Sequence, residues 1–411
     1  MQSYEQFLDN YASLIVGAGI NIQEGQLLVI ASPIECADFA RRIAKKAYER
    51  GAKDVIMSWR DELFTKLRFL DAPEEVFGEF PEWEKAYYNF YTDKGAAFIS
   101  IAANDPELLK DVDPKRVAMV QKTRSTALEE HRDKLMSNEN AWCVVSVPTK
   151  AWAMKVFPEL SADKAVEALW HAILDSVRAK TDDPTQAWEV HKEALKDRMA
   201  FLNRYNFRRL RYTNSLGTDL VVGLPEGHQW LGGAEKTKAG VDFIANIPTE
   251  EVFTLPHKDE VDGVVCSSKP LNYQGNLIDR FTLTFKDGKV VDCSAVIGEA
   301  VLKNLIATDE GAARLGEVAL VPFDSPISNS NILFYNTLFD ENASCHLAFG
   351  KAYPVCLAGG EEMDKDALLA AGVNDSLVHV DFMIGTADLA IDGQTADGQW
   401  VPVFRNGNFA E

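Results

Sequence analysis

The sequence predicts two joined architectures: an α/β domain with a mostly parallel sheet over residues 1–206, then an α+β domain rich in antiparallel strands over 207–411. Three observations lead there. The chain has 411 residues, more than a single hydrophobic core usually serves. Its first half alternates unbroken apolar runs with stretches of helical period, the pattern of βαβ units. From about residue 207 the texture changes to short alternating runs divided by glycine turns.

Taken in order, Phe7, Leu8, Tyr11, Leu14 and Ile15 recur at helical spacing over residues 4–17. "QLLVIAS" follows as a buried strand, "ECADFARRIAKKAYERGA" as a helix closed by Gly51, and "DVIMSW" as the next strand. "AAFISIAA" (96–103) and "WCVVSVPT" (142–149) extend the same sheet. Two helices, 163–179 and 187–206, come next, the second running into the basic stretch "NRYNFRRLRY". Beyond it, "DLVVGLPEG", "FTLTFKDGKVVDCSA" and "LAIDGQTADGQWVPVF" read as short strands, with Asp287-Gly288 as a hairpin turn.

Charge narrows the function. Lys plus Arg number 42 against 62 Asp plus Glu, a formal charge of -20. That excludes nucleic acid as the expected partner, because phosphate binding needs clustered cations, and it argues against anionic membranes. No apolar run approaches the length of a membrane span. The six cysteines form no C-x-x-C pair, so buried free thiols in a reducing compartment are expected. The opening "MQSYEQFLDNYASLIV" is acidic and amphipathic, unlike a signal peptide, and the expected location is cytoplasmic.

Familiar motifs are absent. "VGAGINIQEG" carries Gly17-x-Gly19, but Ile22 stands where a dinucleotide loop needs a third glycine, and the glycines precede the first strand. A glycine-capped helix end is the expectation there. There is no H-E-x-x-H helix, G-x-S-x-G elbow or Walker loop. His131, His171, His191 and His228 have no ligand-like neighbours, and His257 sits among charges in a loop. In "SLVHVDFMIGT", strand alternation puts His379 and Asp381 on one face, with Val378, Val380 and Phe382 on the other. Such a pair either hydrogen-bonds or binds a cation. Alone, His346 reads as a core histidine and Glu317 as a strand-edge acid. In "NIPTEEVFTLPHKDEVDG", Glu250 and Glu251 stand side by side between apolar stretches. Together Glu251, Glu317, His346, His379 and Asp381 form a mixed oxygen and nitrogen set suited to zinc, cobalt or manganese, and large enough for two ions with bridging carboxylates. The rival reading is a small-ligand-binding protein whose acids pair with bases such as the "RRLR" run.

"NIPTEEVFTLPHKDEVDG", "RLGEVALVPFDSPIS", "LFDENASCHLAFGKAYP" and "HVDFMIG" resemble, in order, the motifs of the thermophilic-type metallo-aminopeptidases, the aminopeptidase T and aminopeptidase S group. The resemblance covers essentially the whole chain. It implies removal of N-terminal residues from peptides, by a water activated at a dinuclear centre in the C-terminal domain. It also implies a homodimer enclosing the active sites. Carried over, the ligands are Glu251, Glu317, His346, His379 and Asp381, with Glu250 as acid/base and Tyr353 as a catalytic group beside the metals. Other metallohydrolases, amidases or dipeptidases, share such ligand sets. On a regular strand, Glu250 and Glu251 would face opposite ways, so the backbone is expected to break there.

Overall fold

Four apolar runs of the first half become four parallel strands: β1 (Leu27–Pro33), β2 (Asp54–Arg60), β3 (Ala97–Ile101) and β4 (Trp142–Val145). Their order in the sheet is β2-β1-β3-β4. Between β1 and β2 lies the crossover helix α2 (Ala37–Glu49), which buries Phe39, Ala40, Ile43 and Ala47 and ends at Gly51, where φ is +90°. Helix α1 (Tyr4–Leu14) begins at Ser3, whose side chain accepts the N–H of Gln6. This computed structural model describes residues 3–410.

Two expectations for this half need correction. Gly17 and Gly19 lie within a π-helical turn, Ile15–Gly19, and do not cap it in a left-handed conformation. Glycine is needed for contact: a Cβ at Gly19 would stand 3.0 Å from Cys143 Sγ, and one at Gly17 would collide with the Arg50 guanidinium. The periodicity reading also left residues 60–95 and 104–141 without elements. They hold α3 (Glu62–Asp71) and helices Glu82–Asp93, Pro114–Ala127 and Glu129–Met136. In α3 the apolar residues Leu63, Phe64, Leu67 and Leu70 are exposed and only Phe69 is buried, so its apolar spacing does not mark the core face.

The chain divides into two compact units. One comprises Met1–Glu193, Gly233–Thr249 and Ile332–Leu338; the other comprises Ala194–Gly232, Glu250–Asn331 and Phe339–Glu411. The second unit holds a nine-stranded antiparallel sheet. In it the hairpin of Asn276–Lys286 with Lys289–Ile297 turns on Asp287 and Gly288, both at positive φ. Its other sheet has five strands: β5 (Leu231–Gly232), β6 (Val252–Thr254), β7 (Leu315–Leu320), β8 (His346–Gly350) and β9 (His379–Met383). All its pairings are antiparallel, in the order β9-β8-β7-β6-β5. Glu317 therefore lies on the central strand, which corrects its reading as a strand-edge acid.

One main core serves both sheets of this unit. Leu210, Tyr212, Phe281 and Phe285 from the nine-stranded sheet share it with Val318, Leu320, Leu347, Phe349 and Phe382 from the five-stranded one. Because strand residues alternate in direction, the residues between those apolar ones on β7, β8 and β9 turn to the opposite face.

Candidate metal centre

That opposite face carries Glu317, His346, His379 and Asp381. The strand register sets them out as a checkerboard. Ala348 on β8 pairs with both Glu317 on β7 and Asp381 on β9. His346 pairs with Ala319, and His379 with Gly350. Each donor thus has a small residue beside it, which leaves space in which long side chains can meet. A bulge at Gly316 adjusts β7 just before Glu317. A Cβ at Gly316 would lie 2.4 Å from the carbonyl oxygens of Gly350 and Lys351.

Glu251 joins from the neighbouring strand. It immediately precedes β6, in backbone that is not yet strand, and so does Glu250. Strand alternation does not apply there, and both acids are buried, at 3% exposure for Glu250 and 7% for Glu251. In place of a ladder bond, the Glu250 N–H donates to Oδ1 of Asn342 at 2.7 Å.

The donor atoms form two groups that share a member. His346 Nε2 is 3.0 Å from Glu251 Oε2 and 3.5 Å from Glu317 Oε1. His379 Nε2 is 3.5 Å from Glu317 Oε2 and 3.4 Å from Asp381 Oδ1. Glu251, Glu317 and His346 make one triad and Glu317, His379 and Asp381 the other, with the donor atoms of each within 4.8 Å of one another.

Both imidazoles are oriented from behind. Nδ1 of His346 lies 3.1 Å from the carbonyl oxygens of Glu341 and Ser344, and Nδ1 of His379 lies 2.7 Å from that of Lys351. A carbonyl only accepts, so each Nδ1 carries a proton, and while a ring is neutral the lone pair of its Nε2 faces the carboxylates. Glu251 Oε2 and Asp381 Oδ1 are buried and, with neutral rings, accept no hydrogen bond from the described residues. Lone pairs thus face lone pairs, with Glu251, Glu317 and His346 buried from water. Only protons or a cation resolve that arrangement, and the mixed donor set with its second-sphere carbonyls fits a divalent metal ion.

Without an ion, protons take its place. Burial alone would depress both histidines, but contact with Glu251 and Glu317 lifts His346 well above its usual range. Asp381 and Glu317 do the same for His379. Burial raises Glu251. It works against the charge of Asp381 too, yet His379 and His346 hold that carboxyl below its ordinary value. A further acid shares this field: Glu341, which the sequence reading did not single out. Burial pushes it far up, and the charges of Asp381 and Glu251 add to the effect. The only hint in the sequence is an acid five residues before His346, in "ENASCH".

Tyr353 lies at this site, its ring 4.9 Å from that of His379 and edge-on to it. Three of the other five histidines have hydrogen-bond partners of their own. His131 meets Thr92, His191 the Thr249 carbonyl and His228 the Pro225 carbonyl. The "RRLR" run does not supply counter-ions to the cluster: Arg208, Arg209 and Arg211 pair with Glu226, Glu260 and Asp219.

Comparison with known proteins places the chain in a family. The family described as thermophilic metalloprotease (M29) matches residues 4–409. The chain is 53% identical to Aminopeptidase 2 of Geobacillus stearothermophilus, covering 100% of this chain and 99% of that one. It is 50% identical to Aminopeptidase AmpS of Bacillus subtilis (strain 168), covering 100% of each. The solved structure of wild-type AmpT from Thermus thermophilus superposes with a TM-score of 0.91 at 40% identity, with 100% of both chains covered. With residues 4–409 matched by one family and relatives about half identical over its whole length, this chain belongs to the M29 thermophilic metalloproteases.

Proposed function

We propose that this protein is an aminopeptidase that hydrolyses the first peptide bond of unblocked peptides at a centre of two divalent metal ions. The observation that carries the dinuclear reading is the pair of donor triads sharing Glu317. Glu251, Glu317 and His346 would hold one ion, and Glu317, His379 and Asp381 the other. Glu341 adds a fourth carboxylate to the same field. The donor chemistry suits zinc, cobalt or manganese. Catalysis is assigned to the part of the chain after residue 206, where every donor lies. The relatives named as aminopeptidases support the reaction class.

When bound, such ions supply Lewis acidity for the scissile carbonyl and lower the pKa of a water to about 7 in favourable sites. The chain's own residues do the rest. Glu250, buried next to Glu251, takes a proton from the attacking water and returns it to the departing amine. Tyr353 donates its hydroxyl hydrogen to the carbonyl oxygen as that atom gains charge. The Lys351, Glu341 and Ser344 carbonyls keep the histidine Nε2 atoms pointed at the donors.

The working form is a cytoplasmic homodimer. Six free cysteines suit a reducing compartment. The outward face of α3, with Leu63, Phe64, Leu67 and Leu70 exposed, supplies the kind of contiguous apolar surface that a second copy covers. Light scattering should give twice the mass of one chain; a stable, active monomer refutes the dimer.

The reaction is tested with matched peptides, free and N-acetylated, in added Zn²⁺, Co²⁺ or Mn²⁺. Stepwise release of N-terminal residues from the free peptide alone is expected. Internal cleavage of the acetylated peptide at a similar rate would refute the exopeptidase reading.

Roles within the acid pair separate by substitution. Glu250→Gln should keep its metal and lose roughly 10²–10⁴-fold in kcat, the usual worth of general acid–base catalysis. Glu251→Ala should lose metal affinity. The reverse pattern, by metal analysis and steady-state kinetics, exchanges the two assignments.

Metal uptake should also depend on pH in one direction. His346 and His379 hold protons above the ordinary histidine range in the metal-free protein, and an ion must displace them. Affinity should therefore fall as pH falls, with proton release on binding. Calorimetry in buffers of different ionisation enthalpy measures both; an affinity independent of pH contradicts the ligand set.

A further inference from the structure

One side chain close behind this site has no part in the chemistry above. Asn374 is 3% exposed, and its carboxamide bonds only to backbone. Nδ2 donates to the carbonyl oxygen of Gly350 at 2.6 Å and to that of Gly311 at 2.9 Å. Its own backbone oxygen accepts the Ala352 N–H at 3.0 Å. Asn374 therefore holds both ends of a three-residue turn, Gly350 to Ala352, that leaves the end of β8.

The middle residue of that turn is Lys351. Its N–H donates to the Val378 oxygen at 2.7 Å, and its carbonyl accepts Nδ1–H of His379 at 2.7 Å. Gly350, which opens the turn, has φ of +93°, and a Cβ there would stand 2.1 Å from the Val378 oxygen. Only glycine fits, and glycine adds no stiffness of its own. The peptide unit that carries the Lys351 carbonyl is held by the Ala352 N–H on the Asn374 main-chain oxygen, and the Asn374 carboxamide fixes the preceding Gly350 peptide, from which Lys351 starts, and ties it to Gly311. A rotated Lys351 peptide would no longer offer an acceptor to Nδ1. The ring would then lose its preference for the form whose Nε2 lone pair faces Glu317 and Asp381.

We infer that Asn374 is a positioning residue for His379, acting through the Gly350–Ala352 turn and the Lys351 carbonyl. The inference rests on His379 being a metal ligand, as proposed above. Its effect belongs to metal affinity, where loss of an outer-sphere partner typically costs 10–100-fold. Asparagine suits the place because one planar amide offers two donors to two carbonyls. An aspartate of the same shape offers neither when ionised.

The test is a double-mutant cycle on metal affinity. Metal-stripped full-length wild type, N374D, H379A and the double variant are titrated with Co²⁺ by calorimetry, alongside their metal-free melting temperatures. N374D should weaken Co²⁺ binding about 10–100-fold, and should add nothing once His379 is absent. A purely structural asparagine would instead lower the metal-free melting temperature and give losses that add in the double variant; that result overturns the inference. N374D binding Co²⁺ like wild type while H379A is weakened also overturns it, and leaves the ligand assignment standing. H379A binding like wild type brings down the assignment itself, and the inference with it. Should N374D fail to fold, the same cycle is read on N374S, which keeps a single, shorter donor.

Discussion

Desolvated lone pairs that face one another are the condition around which the second unit is organised. Ionised carboxylates taken out of water lose several kcal/mol each unless a counter-charge accompanies them. Here Glu251, Glu317 and Glu341 are buried together, and Asp381 lies beside them on the outer strand. A sheet tolerates this better than a loop would. Ladder bonds fix the backbone, so the donors cannot relax apart toward solvent. The flanking alanines and glycines keep the other side chains out of their way. Because β9 is an edge strand, His379 and Asp381 keep partial exposure, while His346 on β8 is 1% exposed. The site therefore has a dry side and a wetter side.

Much of this was legible in the sequence, for a physical reason. A polar residue at alternate positions of an otherwise apolar strand reveals which face it occupies, and the first four residues of "HVDFM" obey that rule. Phe382 packs in the main core, and His379 and Asp381 share the other face. The parallel order of the first sheet followed as directly from apolar runs alternating with one strongly amphipathic helix. What stayed hidden was information that alternation does not carry. At Glu250 and Glu251 alternation would send one acid each way, and it is the expected break, seen as irregular backbone, that lets both be buried. Glu341 lies in a 3₁₀ turn, Glu341–Ala343, with no period at all. The helices between β2 and β4 were missed because their apolar residues do not mark one buried stripe. In α3 they face outward, and in Pro114–Ala127 only Val117 and Ser125 are buried.

The glycines teach a related lesson. Gly17 and Gly19 looked like conformational punctuation, yet they are contact residues that let a helical turn sit against Arg50 and Cys143. Gly316 and Gly350 serve the site in the same way, admitting backbone atoms where a methyl group would collide. A composition of 26 glycines says nothing about which of these uses applies. The distinction lies in what stands opposite each one, and that is a property of the fold.

The donors come from four places far apart along the chain: the approach to β6, then β7, β8 and β9. On the proposed reading, a divalent ion held between them would tie these segments together as a covalent staple does. It closes long loops that are costly to close in an unfolded chain, where no preformed site exists. Unlike a staple it can be withdrawn. The five-stranded sheet then keeps its hydrogen bonds but must hold its acids and imidazoles together on borrowed protons. With the proposed ligands, the durability of the second unit would be a property of its supply of metal as well as of its sequence.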